Sequence, residues 1–489
     1  MRGEEGMGDA DGKRMNLTML TDFYEITMGN GYFQNKLQDK IAYFDMFFRR
    51  VPDGGGFAVM AGVEQLILYL QELSFTDADI EFLSKKNLFN EEFLNYLRHF
   101  RFSCDVWAVP EGTPIFPNEP IVTVRGPIIE AQLVETMILL TINHQSLIAT
   151  KANRIVRAAQ GRAVVEFGSR RAQGYDGAMF GARAAFIGGC AGSACTIAER
   201  DFAIPAVGTM AHSWVQTFDH EIDAFRAYAR TYPENCLLLV DTYNVLKSGI
   251  PNAIQVFNEE VVTRGFRPKG IRIDSGDIAY LSKKARKMLD DAGFPDCKIL
   301  VSNSLDEYII RDILVQGAEV DSFGVGERLI TSKSEPVFGG VYKLVAIEDN
   351  GQVIPKIKLS ENVEKITLPG RKQLWRLFEQ GSGKAIADVI TLADETIDET
   401  YVIFDPVHTW KRKTVTGFFA KKLLIQIFDK GTCVYKNPDL KTIQNYCRQQ
   451  IETLWDEVLR FENPHNYYVD LSQALWDVRE KLLVDCSVK

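Results

Sequence analysis

From Ala163 to Glu327 the chain repeats one pattern: a short apolar run that stops at glycine, serine or aspartate, followed by a helix-like stretch. The runs are AVVEFGS (163–169), AAFIGGC (184–190), AIPAVGT (203–209), LLLVDT (237–242), GIRIDS (270–275), KILVSNS (298–304) and SFGVGE (322–327). Apolar runs without polar alternation are the mark of strands buried on both faces, and parallel strands need crossover connections, usually helices. About seven such units over roughly 170 residues suit an irregular parallel β/α barrel better than an open dinucleotide-binding sheet. No Gly-x-Gly-x-x-Gly opens a helix here and no Gly-x-x-x-x-Gly-Lys-[Ser/Thr] occurs, so the dinucleotide and Walker-type readings fail.

At 489 residues the chain is too long for one core. The sequence divides into a loose leader (1–14), an N-terminal α+β domain (15–141), the β/α barrel as catalytic domain (142–358) and a C-terminal segment (359–489). That last segment is expected to be mostly helical and to return and cap the core. Helical patterns cover Glu64–Leu73, Asp77–His99 and Ile129–Ala159, where Leu133, Met137 and Leu140 fall at helical spacing. Extended segments are expected at Val106–Val109 and Pro120–Val124. PGRKQLWRLF reads as a strand leaving the core, and Leu440–Phe461 and Leu471–Val484 read as helices.

Charge and cysteine usage remove several function classes. A net charge of −9 with no lysine- or arginine-rich run gives no footprint for nucleic acid or an anionic membrane. Apolar runs such as Met137–Leu140 fall far short of the roughly 20 residues of a membrane span. Eight cysteines lie scattered with no C-x-x-C pair, and no H-E-x-x-H occurs among six histidines. Neither a disulfide framework nor an obvious metal cluster follows, and the expected compartment is the cytosol.

In parallel β/α folds the polar residues at the carboxyl ends of the strands face the ligand. Here those positions carry Arg170, Arg171, Thr209, His212, Asp241, Arg272, Asp274, Asn303, Gly324 and Gly326. Arginine forks and glycine-flanked backbone N–H groups suit phosphate. Carboxylates suit sugar hydroxyls or a magnesium ion. Singly, an Arg–Asp pair at a strand end is as well read as a structural salt bridge, and an isolated histidine as a core residue. Several phosphate-type groups converging on one end of one sheet ask for more.

The runs LTDFYEITM (20–28), FGSRRAQGYDGA (167–178), GTMAHSWVQ (208–216), LVDTYNVLKSG (239–249), IRIDSGDIAY (271–280), VSNSLDE (301–307), FGVGERLIT (323–331) and GGVYKLV (339–345) resemble the nicotinate phosphoribosyltransferase family in order and spacing. DPVHTW (405–410) looks like its bacterial members. The resemblance implies a type II-like phosphoribosyltransferase barrel and the substrates nicotinate and 5-phosphoribosyl-1-pyrophosphate. ATP is implied as co-substrate, with Mg2+, and a homodimer with shared active sites. By resemblance, Tyr24, entering from a neighbouring subunit, and Phe167 sandwich the pyridine ring, while Arg170, Thr209 and Ser213 take the nicotinate end. Arg272, Asp274, Asn303, Gly324 and Gly326 hold the phosphoribosyl pyrophosphate. His212 matches the phosphorylated histidine and Asp241 the aspartate that orients it; metal ligands are not implied.

Three positions depart from the family pattern. Glu327 stands where threonine is usual, Asn244 where aspartate is common, and Ser193-Ala194-Cys195 where the family shows T-S-N. A carboxylate at 327 must either point away from a phosphate nest or alter it. The nicotinamide-specific relatives carry an aspartate near position 194, so Ala194 favours the acid over the amide. A non-catalytic phosphoribosyl-binding paralogue is the rival of another class, and retention of His212 weighs against it.

Overall fold

The computed structural model describes residues 16–361 and 366–487; the expected leader lies outside them. Two compact units emerge, Ile148–Pro336 and a second assembled from the segments on either side.

Ile148–Pro336 holds six strands: β1 (Ala163–Glu166), β2 (Gly192–Ser193), β3 (Leu237–Leu239), β4 (Gly270–Ile273), β5 (Lys298–Ser302) and β6 (Ser322–Val325). They form one sheet in the order β2-β1-β6-β5-β4-β3, every neighbouring pair parallel. Leu238, Ile271, Ile273, Ile299, Val301, Phe323 and Val325 are buried, as strands covered on both faces require. The edge strands β2 and β3 share no ladder among the described residues. The observed element is therefore a six-stranded parallel sheet in a mixed α/β unit, extended at one edge by a single Ser193–Ala206 bridge.

Two of the seven runs behave differently from the expectation. AAFIGGC is not a strand: Ala184–Ile187 form the last turn of the helix Gly174–Ile187, buried from Gly181 to Ile187. A helix end buried all round has no polar alternation, which makes it indistinguishable from a buried strand by pattern alone. AIPAVGT contributes only the bridge at Ala206. The other five runs carry β1, β3, β4, β5 and β6.

In the flanking unit a seven-stranded antiparallel sheet runs Gln352–Pro355, Val341–Asp349, Ile41–Phe47, Val122–Pro127, Asp105–Ala108, Ile425–Asp429, Thr432–Cys433. The N-terminal and C-terminal segments thus interleave in one sheet. The expectation of a mostly helical C-terminal segment is corrected: beyond residue 359 the described chain has eight strands and two helices, Leu440–Glu452 and Gln473–Ser487. A second sheet places Lys372–Glu379 between Phe418–Lys422 and Ala385–Leu392, with Val469–Leu471 at the edge. The long helical readings are also broken. Asn87 takes φ 54° between Asp77–Ser84 and Glu91–Arg98, and Asn90 caps the second by accepting from the Phe93 N–H. Val134 separates Ile128–Leu133 from Glu135–Ala158.

Two buried polar arrangements stand out in this unit. Arg376 and Asp388, both fully buried on neighbouring strands, form a forked pair at 2.7 and 2.6 Å. Tyr467 donates to the same carboxylate at 2.9 Å and stacks on Phe116 with ring centres 3.9 Å apart. On the helix Phe23–Gln34, buried Glu25 accepts from the Thr21 hydroxyl and from both the N–H (3.2 Å) and hydroxyl (2.6 Å) of Thr136. Burial still pushes its carboxyl up to about 7.

A raised acid binds a proton more tightly folded than unfolded. The stability tied to neutral Glu25 is present below the ordinary carboxylate range and is lost as pH rises through about 7. Glu25→Gln is therefore expected to gain about 1–2 kcal/mol on the wild type between pH 5 and pH 8, after discounting for residual solvation. Urea unfolding of both proteins at the two pH values reads this difference; parallel pH dependences would refute it.

Among the described residues no helix is long and apolar enough to cross a membrane.

Candidate active site

Because all six strands are parallel, the residues following each one come to the same end of the sheet. At that end Arg272, on β4, is the hub. Its guanidinium donates to the Ser302 hydroxyl at 3.1 Å, to Thr209 Oγ1 at 3.4 Å and to the Met210 carbonyl at 3.3 Å, and lies 3.4 Å from Asp274 Oδ2. It also sits over the Phe167 ring, 5.7 Å from the centroid. Ser302 donates in turn to Asp274. The arginine is thus fixed in orientation by five neighbours while its side chain remains 13% exposed.

His212 opens the short helix His212–Gln216 beside this cluster. Its Nε2 lies 3.7 Å from Asp274 Oδ2 and 4.0 Å from Asp241 Oδ1, within ion-pair range though beyond a hydrogen bond. Its Nδ1 is 3.2 Å from the Thr242 hydroxyl. Asp241 is held by the Asp274 N–H (3.0 Å) and the Ser275 hydroxyl (2.6 Å), both at Oδ2. Its Oδ1 is buried and has no hydrogen-bond partner among the described residues. Two carboxylates on the Nε2 side favour the tautomer protonated there, in which the Nδ1 lone pair faces the Thr242 hydroxyl.

Phe167 and Arg170 follow β1. The Phe167 N–H continues the ladder to the Val325 carbonyl at 2.8 Å. Its ring lies directly on Gly324, where an added Cβ would stand 2.6 Å from ring carbons. Gly324 is buried and makes room for that ring, whereas Gly326 is the more open of the two expected phosphate glycines. Arg170 lies on the exposed turn Ser169–Arg171 and makes no hydrogen bond or ion pair among the described residues. Ser213 is exposed beside His212. Asn303 and Ser304 both take positive φ, 87° and 52°, directly after β5, a strained loop of the kind found at ligand sites.

Tyr24 belongs to the flanking unit, on the helix Phe23–Gln34, where it is 44% exposed. Asp241, Thr209, His212, Phe167, Arg272 and Asp274 are thus brought together with Gly324. Arg170, Ser213 and Asn303 share their end of the sheet without a direct contact to them.

The departures resolve locally. Glu327 pairs with Lys333 at 2.7 Å, and that lysine holds its carboxyl below the usual range. Asn244 Oδ1 accepts from the Lys247 N–H at 2.8 Å, a capping role that asparagine fills as well as aspartate. Cys195 donates its N–H to Ser193 Oγ at 2.9 Å. Sequence reasoning missed Ser302, Ser275, Thr242 and Glu166.

Among the described residues no three His, Cys, Asp or Glu side chains converge as a metal site. With Oδ1 of Asp241 left without a partner among the described residues, Asp241 and Asp274 are the carboxylates that would hold a magnesium ion.

Comparison with known proteins gives matches along nearly the whole chain. The nicotinate phosphoribosyltransferase N-terminal domain matches residues 19–143, the family's central model 163–369 and its C-terminal domain 371–479. The nicotinate phosphoribosyltransferase of Bacillus subtilis is 46% identical over 94% of this chain and 94% of its own. One from Mycobacterium tuberculosis is 38% identical over 94% of this chain and 92% of its own. Human nicotinic acid phosphoribosyltransferase superposes with a TM-score of 0.84 at 30% identity, over 94% of this chain and 99% of that one. Nicotinate-nucleotide pyrophosphorylase from Pyrococcus furiosus, with a TM-score of 0.70 at 24% identity over 91% and 97%, shares the fold.

Proposed function

The chain belongs to the nicotinate phosphoribosyltransferase family, and on that premise we propose that ATP drives its reaction through phosphorylation of His212. The enzyme serves NAD biosynthesis. It joins nicotinate to 5-phosphoribosyl-1-pyrophosphate, releasing pyrophosphate and nicotinate mononucleotide.

The observation that carries the ATP reading is the imidazole itself. Its Nε2 faces Asp241 and Asp274, and its Nδ1 faces a hydroxyl beside the phosphate-type cluster. Nδ1 attacks the terminal phosphorus of ATP, the bridging P–O bond breaks and ADP leaves; water later takes the phosphoryl group from nitrogen. The positive charge that develops on the ring, which keeps its proton at Nε2, is stabilised by the carboxylates.

Displacement at the anomeric carbon passes through an oxocarbenium-like transition state, so the protein mainly positions reactants and stabilises the departing charge. Arg272 suits the pyrophosphate, being already oriented by Ser302, Thr209 and the Met210 carbonyl. Asp274 suits the ribose hydroxyls, while Asn303 and the Gly326 nest, with Gly324 behind it, suit the phosphate groups. When bound, magnesium would screen phosphate charge beside Asp241 and Asp274. The pyridine ring stacks on Phe167, with Tyr24 of a second copy as its other face. Leu20, Phe23, Tyr24 and Met28, all more than a third exposed, support a homodimer contact there. Arg170, Thr209 and Ser213 take the carboxylate. Closure of the six-stranded sheet into a barrel, and a cytoplasmic location consistent with eight free cysteines, complete the reading.

Pyrophosphate release with nicotinate, nicotinamide and quinolinate, with and without ATP, tests it. A charge-assisted hydrogen bond from Arg170 is worth about 1.5–3 kcal/mol. Nicotinamide is expected to fall at least about tenfold below nicotinate in kcat/KM, and ATP to stimulate the reaction. Nicotinamide turnover within tenfold of nicotinate overturns the acid preference; indifference to ATP overturns the coupling.

A further inference from the structure

We propose that Glu166 is the positioning residue of the pyridine pocket, holding the Phe167–Arg170 turn and the Ser193–Cys195 loop in one fixed geometry. The proposal rests on the assignment of Phe167 to the pyridine ring.

Glu166 closes β1 and is completely buried. One carboxylate oxygen accepts from the Gly168 N–H and the other from the Ser193 hydroxyl, the latter at 2.6 Å. Ser193 Oγ accepts in turn from the Cys195 N–H at 2.9 Å. The Glu166 carbonyl also receives the Ala194 N–H at 2.8 Å. One residue therefore fixes both segments that follow β1 and β2, and it does so from beneath them, with no exposure of its own. The Gly168, Ala194 and Cys195 N–H groups and the Ser193 hydroxyl each meet an acceptor, the condition under which a buried carboxylate rigidifies its surroundings.

The steric surroundings leave little slack. At Gly168 an added Cβ would meet Ile330 side-chain atoms at 2.6 Å and the Glu166 carboxylate at 2.8 Å. The Phe167 ring is confined from below by Gly324 and covered on another side by the Arg272 guanidinium. A turn packed this closely has one position for its aromatic ring, provided the Gly168 N–H stays anchored. Losing the anchor frees the turn that carries Phe167 and Arg170. It leaves Arg272, Ser302 and Asp274, which hold one another, where they are. The two substrates should therefore feel the change unequally, and this separates positioning from general stability.

Steady-state kinetics of Glu166→Ala, Glu166→Gln, Ser193→Ala and Phe167→Ala, varying each substrate in turn, test the proposal. Glu166→Ala is expected to raise KM for nicotinate about 10- to 100-fold, the scale of an ångström-level misplacement. KM for 5-phosphoribosyl-1-pyrophosphate should stay within about twofold, the low end of one neutral hydrogen bond. Ser193→Ala removes one neutral hydrogen bond and should raise KM for nicotinate about 2- to 12-fold. Glu166→Gln, which keeps an acceptor, should recover most of the loss. If Glu166→Ala does not fold, Ser193→Ala decides alone. Unchanged KM for nicotinate, or an equal rise for both substrates, overturns the positioning role. If Phe167→Ala itself leaves KM for nicotinate unmoved, it is the pyridine assignment that falls. A rise in Phe167→Ala with none in Glu166→Ala and Ser193→Ala defeats the role of Glu166 alone.

Discussion

ATP hydrolysis by the His212→Asn variant is expected to fall by about three orders of magnitude or more, the scale on which losing a catalytic nucleophile acts. Asparagine keeps a polar side chain of similar reach but has no lone-pair nitrogen to attack phosphorus. Wild-type protein incubated with γ-labelled ATP should carry an acid-labile, base-stable label, and the variant none. Arg272 is held by Ser302, Thr209 and Met210 rather than by His212, so the phosphoribosyl site survives the change. Slow pyrophosphate release that no longer responds to ATP should remain. Normal labelling of the variant would place the phosphoryl group elsewhere. Asp241→Asn offers a graded companion, since it keeps the nucleophile and weakens the group that stabilises the imidazolium.

Removing the carboxylate of Asp388 should cost the flanking unit about 3–5 kcal/mol, the penalty for leaving a buried charge without its partner. Arg376 has no solvent to fall back on, because its side chain and that of Asp388 are both fully buried. Tyr467 loses its acceptor in the same step. Burial and the nearby Asp388 push the carboxyl of Glu119 well above its ordinary range while the pair is intact. An exposed pair such as Lys287–Asp291, with both side chains more than half exposed, should contribute under about 1 kcal/mol. Urea unfolding of Asp388→Ala, Asp291→Ala and the double variant Arg376→Met/Asp388→Leu makes the comparison. The double variant should recover most of the loss, since an apolar pair needs no compensation. Equal, small shifts for Asp388→Ala and Asp291→Ala would rule out the buried pair as a structural anchor.

The parallel sheet was legible because burial on both faces leaves strands that are mostly apolar; Ile271, Ile273, Ile299 and Val301 are read directly as core. The same signal misled at Ala184–Ile187, where a helix end is equally enclosed. The C-terminal strands were hidden for the opposite reason. Arg412–Thr416 and Phe418–Lys422 expose most of their side chains and follow no apolar rhythm, so their pairing is decided by partners distant in sequence. In the site, charged and nucleophilic residues at strand ends were visible, as were the motifs that carry them. Ser302 and Glu166 were not, because a serine or glutamate inside an apolar run carries no mark of what its hydroxyl or carboxylate will hold.

The interleaved antiparallel sheet sets a timetable for a chain emerging from the ribosome. Ile41–Phe47 must wait for Val341–Asp349, and Asp105–Ala108 for Ile425–Asp429, before each has both of its neighbours. At about 5–20 residues per second, a separation of some 300 residues means roughly 15–60 s with those strand edges unpaired. Ile148–Pro336 is continuous and can complete its sheet within that interval. The nascent chain therefore carries a finished catalytic sheet before its first-made strands have found their partners, and those bare edges are where a chaperone is needed or a second nascent copy can pair wrongly.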